Sequence, residues 1–429
     1  MMQRNIFKAS FLIVFLLIWS CKTTKDVVLD TPIQKNSDTK AQMAQLVDDV
    51  TYLASDELEG RETGTEGERL AADYLLTRFK DIGLKGIFSG DEPYFQYFKK
   101  TIKSNPHEAQ PNPDDPVIMG KNVGAFLDKG QKHTIIIGAH YDHLGWGKEG
   151  SLYTGPPAIH NGADDNASGV AAMLLLASHF KDKDLNYNLL FLAFSGEEKG
   201  LWGSNFFVDN SPLEMEDINF MINMDMVGRL NEDRQVAIYG TGTSPSWPRL
   251  MKSVRYPVFK QTIHESGMGP SDHTSFYLED MPVLHFFTGQ HEDYHRPTDD
   301  THKINFDGIT DITTFIAGII SGADQMKKLK FTKTKDESQQ APDFKVTLGV
   351  IPDYLFDGQG MRIDGVREGR TADVAGMKKG DVVVKMGDLQ VVDMMTYMKA
   401  LGAFEPGQKT KVVIVREGDM MMEKEVTFQ

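Results

Sequence analysis

The spacing of hydrophobic residues predicts two helices at the start of the folded region. In the segment 41–55, AQMAQLVDDVTYLAS, apolar residues recur every three to four positions, which is typical of an amphipathic helix. A second helical face follows over the segment 65–84, where Thr65 and Glu68 form a capping-box pattern. Gly83 is a residue that can end this helix. Two helices are therefore expected before the pattern changes.

From about residue 123 the pattern changes to strands that alternate with helices. The apolar runs are TIIIGAH, VAAMLLLASHF, YNLLFLAF and INFMINM, in this order. Strands this apolar are buried on both faces, as in an α/β sandwich with a largely parallel sheet. Ligands in such folds bind beyond the carboxyl ends of the strands. We therefore expect functional side chains at that edge of the sheet.

Acidic and histidine side chains follow these strands. His140 and Asp142 end one strand two positions apart, so the carboxylate can accept the second ring N–H of a metal-bound imidazole. Glu197 and Glu198 end a later strand, where adjacent side chains diverge, so one can hold a metal while the other reaches a bound water. Burying Asp225 unpaired in its apolar strand would cost several kcal/mol. It therefore needs a cation or strong hydrogen bonds.

The segment 161–169, NGADDNASG, adds two aspartates directly before an apolar helix. A turn is the simplest interpretation, because Asn, Asp, Ser and Gly are turn residues. A metal site is the alternative if carboxylates elsewhere converge on it. HEDYHRPTDDT supplies His291 and His295 much later. Any one of these residues is typical of structural hydrogen bonding, but their placement at the ends of consecutive strands favours a single site.

Composition narrows the chemistry. The chain has 429 residues and a formal net charge of −15, without a dense Lys/Arg block, so nucleic acid is not an expected partner. It has one cysteine, Cys21, which excludes disulfides within the chain and cysteine-based zinc sites. A metal must be held by His, Asp and Glu.

The first residues have the layout of a secretory signal. Arg4 and Lys8 precede the short apolar run ASFLIVFLLIW, which ends at Ser20 and Cys21. This junction resembles the lipobox of bacterial lipoproteins and predicts a signal peptide over 1–20 and lipidation of Cys21, although Trp19 departs from the small residue usual there. An uncleaved anchor or a plain signal peptide is the alternative. In each case the protein is exported to the bacterial cell envelope, and lipid is the expected membrane anchor.

Six segments, in this order, resemble the co-catalytic di-zinc peptidases that include bacterial leucyl aminopeptidases and the glutamate carboxypeptidase II group. They are LASDELEGRETGTEGERLAADYLLTRF, GAHYDHLG, NGADDNASG, SGEEKGLWGS, NMDMVGR and YHRPTDDT. The resemblance covers about residues 40–325. It implies a phosphorylase/hydrolase-like three-layer sandwich with a mixed, largely parallel central sheet and two Zn²⁺ ions above it.

The resemblance also implies a role for each site residue. One zinc is expected on His140 and Asp225, and the other on Glu198 and His295, with Asp165 as the bridge. Glu197 is the expected general base and Asp142 the expected partner of His140. The family pattern further implies a cis peptide bond from Asp165 to Asn166, and it leaves Asp164 as a solvent-facing or hydrogen-bonding neighbour.

The implied activity is hydrolysis of peptide bonds, with Glu197 taking the proton of a water shared by the zinc ions. An aminopeptidase is favoured, because a free ammonium needs only carboxylates or carbonyls, whereas a carboxypeptidase needs Arg or Lys. Arg229 and Arg296 lie near presumed ligands and are expected to form salt bridges. A carboxypeptidase or dipeptidase is the alternative. A glutaminyl-cyclase-like transferase or a non-catalytic peptide-binding protein is disfavoured by the complete ligand set.

The rest of the chain predicts a second domain. A polar tether over 21–39 precedes the peptidase domain over 40–329, and a charged linker over 330–343 follows it. Residues 344–429 are similar to a PDZ domain, a small mostly-β module, with MMTYMKALGAF as its long helix. Such domains bind a C-terminal peptide along a sheet edge. The loop expected to grip the peptide carboxylate is Gly358, Gln359, Gly360 and Met361, and a packing domain without ligand is the alternative.

Overall fold

The computed structural model describes most of the two predicted domains. Its described residues are 37–102, 112–334, 345–353, 356, 358–367, 369–417 and 420–428. The predicted signal peptide, the lipidation site Cys21, and most of the predicted tether and linker lie outside them.

Both predicted N-terminal helices are present. They are α1 (Ser37–Leu53) and α2 (Glu66–Ile82). The Thr65 hydroxyl accepts the Glu68 N–H at 3.4 Å, and Gly83 ends α2 with a φ of +91°, which favours glycine. The Glu68 carboxylate does not complete a capping box, because it accepts N–H groups of Gly64 and Lys121 instead. This carboxylate thereby ties α2 to the sheet.

The central sheet has eight strands. They are β1 (Phe95–Thr101), β2 (Val117–Leu127), β3 (Thr134–His140), β4 (Asn188–Phe194), β5 (Ile218–Met224), β6 (Gln235–Tyr239), β7 (Lys260–Ile263) and β8 (Val283–Phe287). Their spatial order is β1-β2-β4-β3-β5-β8-β6-β7. The inner strands β4, β3, β5 and β8 are parallel, whereas β2 and β6 run antiparallel to their inner neighbours. The sheet is therefore mixed with a parallel centre, as predicted.

Helices cover both faces of this sheet. The additional ones are α3 (Gly169–Phe180), α4 (Trp202–Asp209), α5 (Trp247–Ser253), α6 (His273–Leu278) and α7 (Phe306–Asp324). Alternate β3 residues enter two cores, Ile135 and Ile137 on the side of α3 and α7, and Ile136 on the side of α4 and α6. The three-layer sandwich is confirmed. Within the described residues, we find no helix with the length and apolar character needed to cross a bilayer.

A smaller antiparallel domain follows. It contains β9 (Val350–Pro352), β10 (Met361–Val366), α8 (Thr371–Val374), β11 (Val382–Met386), β12 (Leu389–Gln390), α9 (Met394–Leu401), β13 (Lys409–Arg416) and β14 (Met420–Thr427). The strand order is β14-β13-β11-β10-β9, with β12 paired to β11. Its apolar side chains form a core of their own. A second, mostly-β domain is therefore present, and its helix α9 matches the predicted one.

The turn from β9 to β10 includes the residues expected to grip a peptide carboxylate. Gly358 and Gln359 are exposed, but Gly360 is buried and its N–H donates to the Val392 carbonyl at 2.9 Å. Met361 is 1% exposed and belongs to the core of the small domain. The Met361 side chain therefore belongs to the core, and the binding of a peptide carboxylate by the backbone N–H groups of this loop stays a prediction.

Candidate metal centre

The carboxyl ends of three neighbouring parallel strands carry the predicted site. His140 is the last residue of β3, Asp225 follows β5, and Glu197 and Glu198 lie three and four residues beyond the end of β4. Because β4, β3 and β5 are adjacent and parallel, their carboxyl ends meet at one edge. The sequence prediction that these side chains share an edge is confirmed.

The five predicted ligands lie together. His140 Nε2 is 3.3 Å from Asp225 Oδ1 and 3.4 Å from Asp165 Oδ1. His295 Nε2 is 3.3 Å from Asp165 Oδ2 and 3.2 Å from Glu198 Oε2. The two oxygens of Asp165 thus face two different groups of ligands. This is the arrangement expected of a residue that bridges two cations.

A short irregular turn presents Asp165. The segment Ala163–Ser168 is a π-helical turn interrupted at Asp165 and Asn166, and the peptide bond between these two residues is cis. The Asn166 amide donates to the carbonyls of His140 at 3.3 Å and Met224 at 3.0 Å, which ties the turn to the ends of β3 and β5. The turn is therefore held by β3 and β5, which carry two of the other predicted ligands, His140 and Asp225.

Asp164 points away from the metal ligands. It is completely buried, and its Oδ1 accepts the Ser168 hydroxyl at 2.9 Å and the Gly228 N–H at 2.6 Å. Its Oδ2 faces His291 Nε2 at 3.2 Å, and this contact helps to raise the pKa of the His291 imidazole although burial opposes the charge. Asp164 is thus a hydrogen-bonding residue rather than a solvent-facing one. His291 is its imidazole partner.

Asp142 supports Glu197 more closely than it supports His140. Its Oδ1 accepts the Glu197 backbone N–H at 3.1 Å, and its Oδ2 accepts the Thr63 hydroxyl at 3.0 Å. His140 Nδ1 is 3.7 Å from the Asp142 carboxylate but 3.2 Å from the Asp142 carbonyl. The second ring nitrogen of His140 is therefore held by the backbone of Asp142, a correction to the predicted carboxylate contact.

The pKa values of the two adjacent glutamates are shifted in opposite directions. Burial raises the pKa of the Glu197 carboxyl well above its usual value, and the Asp225 carboxylate adds to this shift while His140 opposes it. Burial acts in the same direction on Glu198, but His295 and His143 outweigh it and hold its pKa well below the usual value. Glu198 is thus suited to bind a cation as an anion, and Glu197 to exchange a proton.

The two arginines near the ligands differ. Arg229 Nη2 pairs with Asp293 Oδ2 at 3.0 Å, so the prediction of a loop salt bridge is confirmed for this residue. Arg296 has no carboxylate within ion-pair distance in the described part of the chain, and its Nε is buried without a hydrogen-bond partner. The same prediction is therefore wrong for Arg296.

Sequence reasoning missed His143. The side chain is completely buried, and its Nδ1 lies 2.7 Å from Glu198 Oε1. The ligand atoms of His143, Asp165 and Glu198 all lie within 4.8 Å of one another. The signal was present in HYDH, since a loop that leaves a strand end can turn more than one polar residue towards the same edge.

Comparison with known proteins gives one family and several relatives. Residues 122–320 match the model of peptidase family M28. Aminopeptidase YwaD of Bacillus subtilis (strain 168) is 26% identical over 235 residues, which are 52% of this chain and 48% of the relative. The alkaline phosphatase isozyme conversion protein of Escherichia coli (strain K12) is 29% identical over 168 residues, 39% of this chain and 46% of the relative. The chain thus spans about half the length of these curated relatives.

A solved structure shares the fold. The glutaminyl cyclase of Porphyromonas gingivalis aligns with a TM-score of 0.52 at 17% identity, covering 65% of this chain and 98% of the cyclase. Identity this low carries the fold and not the activity. The segment that contains every clustered histidine and carboxylate described above, residues 122–320, is the segment that matches peptidase family M28.

Proposed function

We propose that this protein is an exported zinc aminopeptidase that holds two Zn²⁺ ions and removes residues from the N-termini of peptides. One observation carries the proposal: the two oxygens of Asp165 face two separate sets of ligand atoms, at 3.4 Å from His140 Nε2 and 3.3 Å from His295 Nε2. A single cation would not need a carboxylate divided in this way. The matching M28 family and the aminopeptidase among the relatives support the same activity.

The donor set fits zinc. The ligands are imidazole nitrogens and carboxylate oxygens, which zinc accepts in peptidase sites. His140 and Asp225 would hold one ion, Glu198 and His295 would hold the other, and Asp165 would contribute to both. When bound, a pair of zinc ions lowers the pKa of a shared water and polarises the scissile carbonyl.

The chain supplies the proton transfer through Glu197. Burial raises the pKa of this carboxyl, which is the direction that favours a general base. Asp142 holds the backbone N–H of Glu197 at 3.1 Å, which restricts where this side chain can reach. Glu197 would take the proton from the attacking water and pass it to the leaving amine.

The cavity beside these residues indicates which end of a peptide substrate the site can bind. It has a volume of about 160 Å³ and combines acidic side chains with apolar and aromatic ones, such as Met226, Tyr239 and Phe287. Among the described residues that line it, there is no lysine or arginine. The C-terminal carboxylate of a substrate would meet no lysine or arginine side chain among these residues, which disfavours a carboxypeptidase. The lining therefore supports an aminopeptidase.

A dipeptidase or carboxypeptidase is the second candidate, and Arg296 is the observation that favours it. This side chain follows the ligand His295 directly in the chain and has no ion-pair partner among the described residues. An arginine without a partner beside the site can bind the carboxylate of a short substrate.

One assay separates these activities. Purified protein is given a short peptide, its N-acetylated form and its C-terminally amidated form, with zinc added or chelated. An aminopeptidase cleaves the free and amidated peptides but not the acetylated one, and needs zinc. Loss of cleavage on amidation alone would establish the second candidate, and cyclisation of an N-terminal glutamine without hydrolysis would instead show a transferase.

The same proposal includes export and a peptide-binding C-terminal domain. The sequence of residues 1–21 supports export with lipidation at Cys21, and the similarity of residues 344–429 to a PDZ domain supports the binding of peptide C-termini. Cys21→Ala should abolish labelling by a lipid precursor and move the protein out of the membrane fraction. A wild-type protein that carries no lipid label would contradict the anchor.

A further inference from the structure

His143 lies next to the ligand atoms of one of the two proposed zinc sites. It follows β3 by three residues, and its backbone N–H donates to the Arg61 carbonyl at 3.3 Å. Its side chain is completely buried, although histidine is polar and titratable. Burying a histidine ring lowers the stability of the fold unless the ring is hydrogen-bonded. The contacts of the ring therefore show what it does.

The two oxygens of Glu198 have different partners. Oε2 lies 3.2 Å from His295 Nε2, a spacing like that between the other pairs of ligand atoms around Asp165. Oε1 lies 2.7 Å from His143 Nδ1, which is the length of a charge-assisted hydrogen bond. His143 Nδ1 is 3.9 Å from Asp165 Oδ2, too far for a second hydrogen bond. The imidazole of His143 is thus hydrogen-bonded to a single ligand oxygen, Glu198 Oε1.

We infer that His143 is a positioning residue for the zinc site of Glu198 and His295: its Nδ1–H donates to Glu198 Oε1 and thereby turns Oε2 towards the metal. This inference rests on the proposed two-zinc function. A carboxylate can only accept, so the hydrogen must be on Nδ1. His143 Nε2 is buried without a hydrogen-bond partner among the described residues.

Removing such an outer contact usually weakens metal binding by about 10- to 100-fold. Without His143 the Glu198 carboxylate can rotate about its terminal torsion, so fewer of its orientations present Oε2 beside His295. The effect should concern this zinc and leave the zinc on His140 and Asp225 unchanged. The alternative is that His143 binds the metal directly, because its ligand atom lies within 4.8 Å of those of Asp165 and Glu198.

Three substitutions separate positioning from direct binding. In His143→Asn the amide nitrogen occupies nearly the place of Nδ1 and keeps the donor, whereas His143→Gln places its amide near Nε2 and His143→Leu has no donor. For each protein we would measure zinc per chain and the affinity of the more weakly held zinc, by competition with a chelator of known affinity. Circular dichroism and thermal melts establish that each variant is folded.

We expect Leu and Gln to weaken one zinc about 10- to 100-fold and Asn to stay within about threefold of wild type. If Asn weakens this zinc as much as Leu, His143 is a ligand and the inference is overturned, since an amide is a poor zinc ligand. Unchanged zinc affinity in a folded Leu variant would also overturn it. If the wild-type chain holds fewer than two zinc ions or is inactive, the proposed function itself fails, which is a separate result.

His160→Leu is the matched control. His160 is a buried histidine in the same region, but its Nε2 pairs with Ser151 Oγ at 2.8 Å and its Nδ1 with the Ala158 carbonyl at 3.0 Å. Its ring therefore contacts a hydroxyl and a backbone group rather than a metal ligand. This variant should keep two zinc ions at wild-type affinity. Loss of one zinc here would mean that packing alone explains the His143 result.

Discussion

The two domains treat buried polar groups in different ways. In the catalytic domain, carboxylates and imidazoles are buried at the strand ends, and several of them face one another. In the described residues of the C-terminal domain, the buried polar side chains are Thr371 and Asp381, and Asp381 is paired with Arg416 at 2.7 Å. Burial of charge is costly without a partner or a cation. The difference indicates that one domain carries the chemistry and the other is organised around packing.

The largest effect is expected in the catalytic domain when one carboxylate oxygen of Glu197 is replaced by an amide nitrogen. Glu197→Gln should lower kcat by about 10²- to 10⁴-fold, because the amide cannot take a proton, while both zinc ions stay bound. Glu198→Ala should lose one zinc instead. Turnover on a chromogenic amino-acid substrate and metal content by mass spectrometry measure the two effects.

The matched change in the other domain is Glu405→Gln, which removes an exposed ion pair with Lys345. It should leave both turnover and zinc content at wild-type values, because exposed pairs contribute little. Equal zinc loss in Glu197→Gln and Glu198→Ala would show that the two glutamates do not divide the work as proposed.

The catalytic domain also depends on a buried cation that binds backbone carbonyls. Arg61 is 1% exposed and donates to the carbonyls of Tyr141, Leu53, Asn161 and Gly162. Burial lowers the pKa of its guanidinium to about 10, and the surrounding carboxylates oppose this shift. Arg61→Met should lower the free energy of unfolding by about 3 to 5 kcal/mol, since these carbonyls lose their donor.

Urea unfolding measures this loss, and Arg69→Met is its control. Arg69 forms exposed ion pairs with Glu66 and Asp73, so its replacement should change the free energy of unfolding far less than that of Arg61. A similar loss of unfolding free energy in both variants would show that the hydrogen bonds of Arg61 to the buried carbonyls contribute no more than an exposed ion pair.

The features of the catalytic domain that depend on neighbouring residues in the chain could be predicted from the sequence, whereas contacts between distant residues could not. The strands, the capping residue Thr65 and the clustering of the ligands followed from periodicity and from the geometry of parallel sheets. The role of His143 depends on which oxygen of Glu198 it meets, and that is set by packing across the site. The partner of Arg229, Asp293, lies 64 residues away, whereas Arg296 has no ion-pair partner in the described part of the chain, and no sequence pattern distinguishes the two.

In the C-terminal domain, too, the secondary structure could be predicted from the sequence better than the contacts. Its strands and the helix α9 followed from alternation and periodicity, but the hydrogen bonds of the turn to β10 did not. Met361 follows three turn residues in the sequence, yet β10 begins with it and its side chain enters the core. The sequence did not show that the N–H of Gly360 in this turn is already paired with the Val392 carbonyl, because that partner is distant in the chain.

A smaller effect is expected from an ion pair that stabilises the loop before His295. Burial alone would raise the pKa of the Asp293 carboxyl, but Lys303, Thr298 and Arg229 outweigh it and lower the pKa to about 2. A pKa lower in the folded state stabilises the protein above the unfolded value of about 3.9, and this contribution is lost as pH falls towards 2. Asp293→Asn should therefore cost about 2 kcal/mol at pH 7.

The pH dependence checks this assignment. The difference in unfolding free energy between wild type and Asp293→Asn should be constant from pH 7 to pH 5 and about halved at pH 3. A difference that does not change with pH would mean that the substitution acts through packing and not through the charge of the carboxylate.

The smallest effect concerns the boundary between the two domains. A chain that ends after Thr334 keeps all proposed ligands and the whole core of the catalytic domain, while the C-terminal core is a separate cluster. Its kcat on a short chromogenic substrate should stay within a few fold of the intact protein, and longer peptides with free C-termini should lose apparent affinity. A truncated protein that is folded and loaded with zinc but inactive would show that the C-terminal domain shapes the active site.

The central position of β3 has a consequence for the protein without its metals. This strand is hydrogen-bonded to β4 on one side and to β5 on the other, and α3 packs against it. Amide protons in such a strand exchange with deuterium only when the whole domain unfolds. His140 is the last residue of this strand, so we expect the proposed zinc site to be attached to a slowly exchanging part of the chain. Stripping the zinc should leave β3 protected from exchange, and the metal-free protein should recover its activity when zinc is returned, without a cycle of refolding.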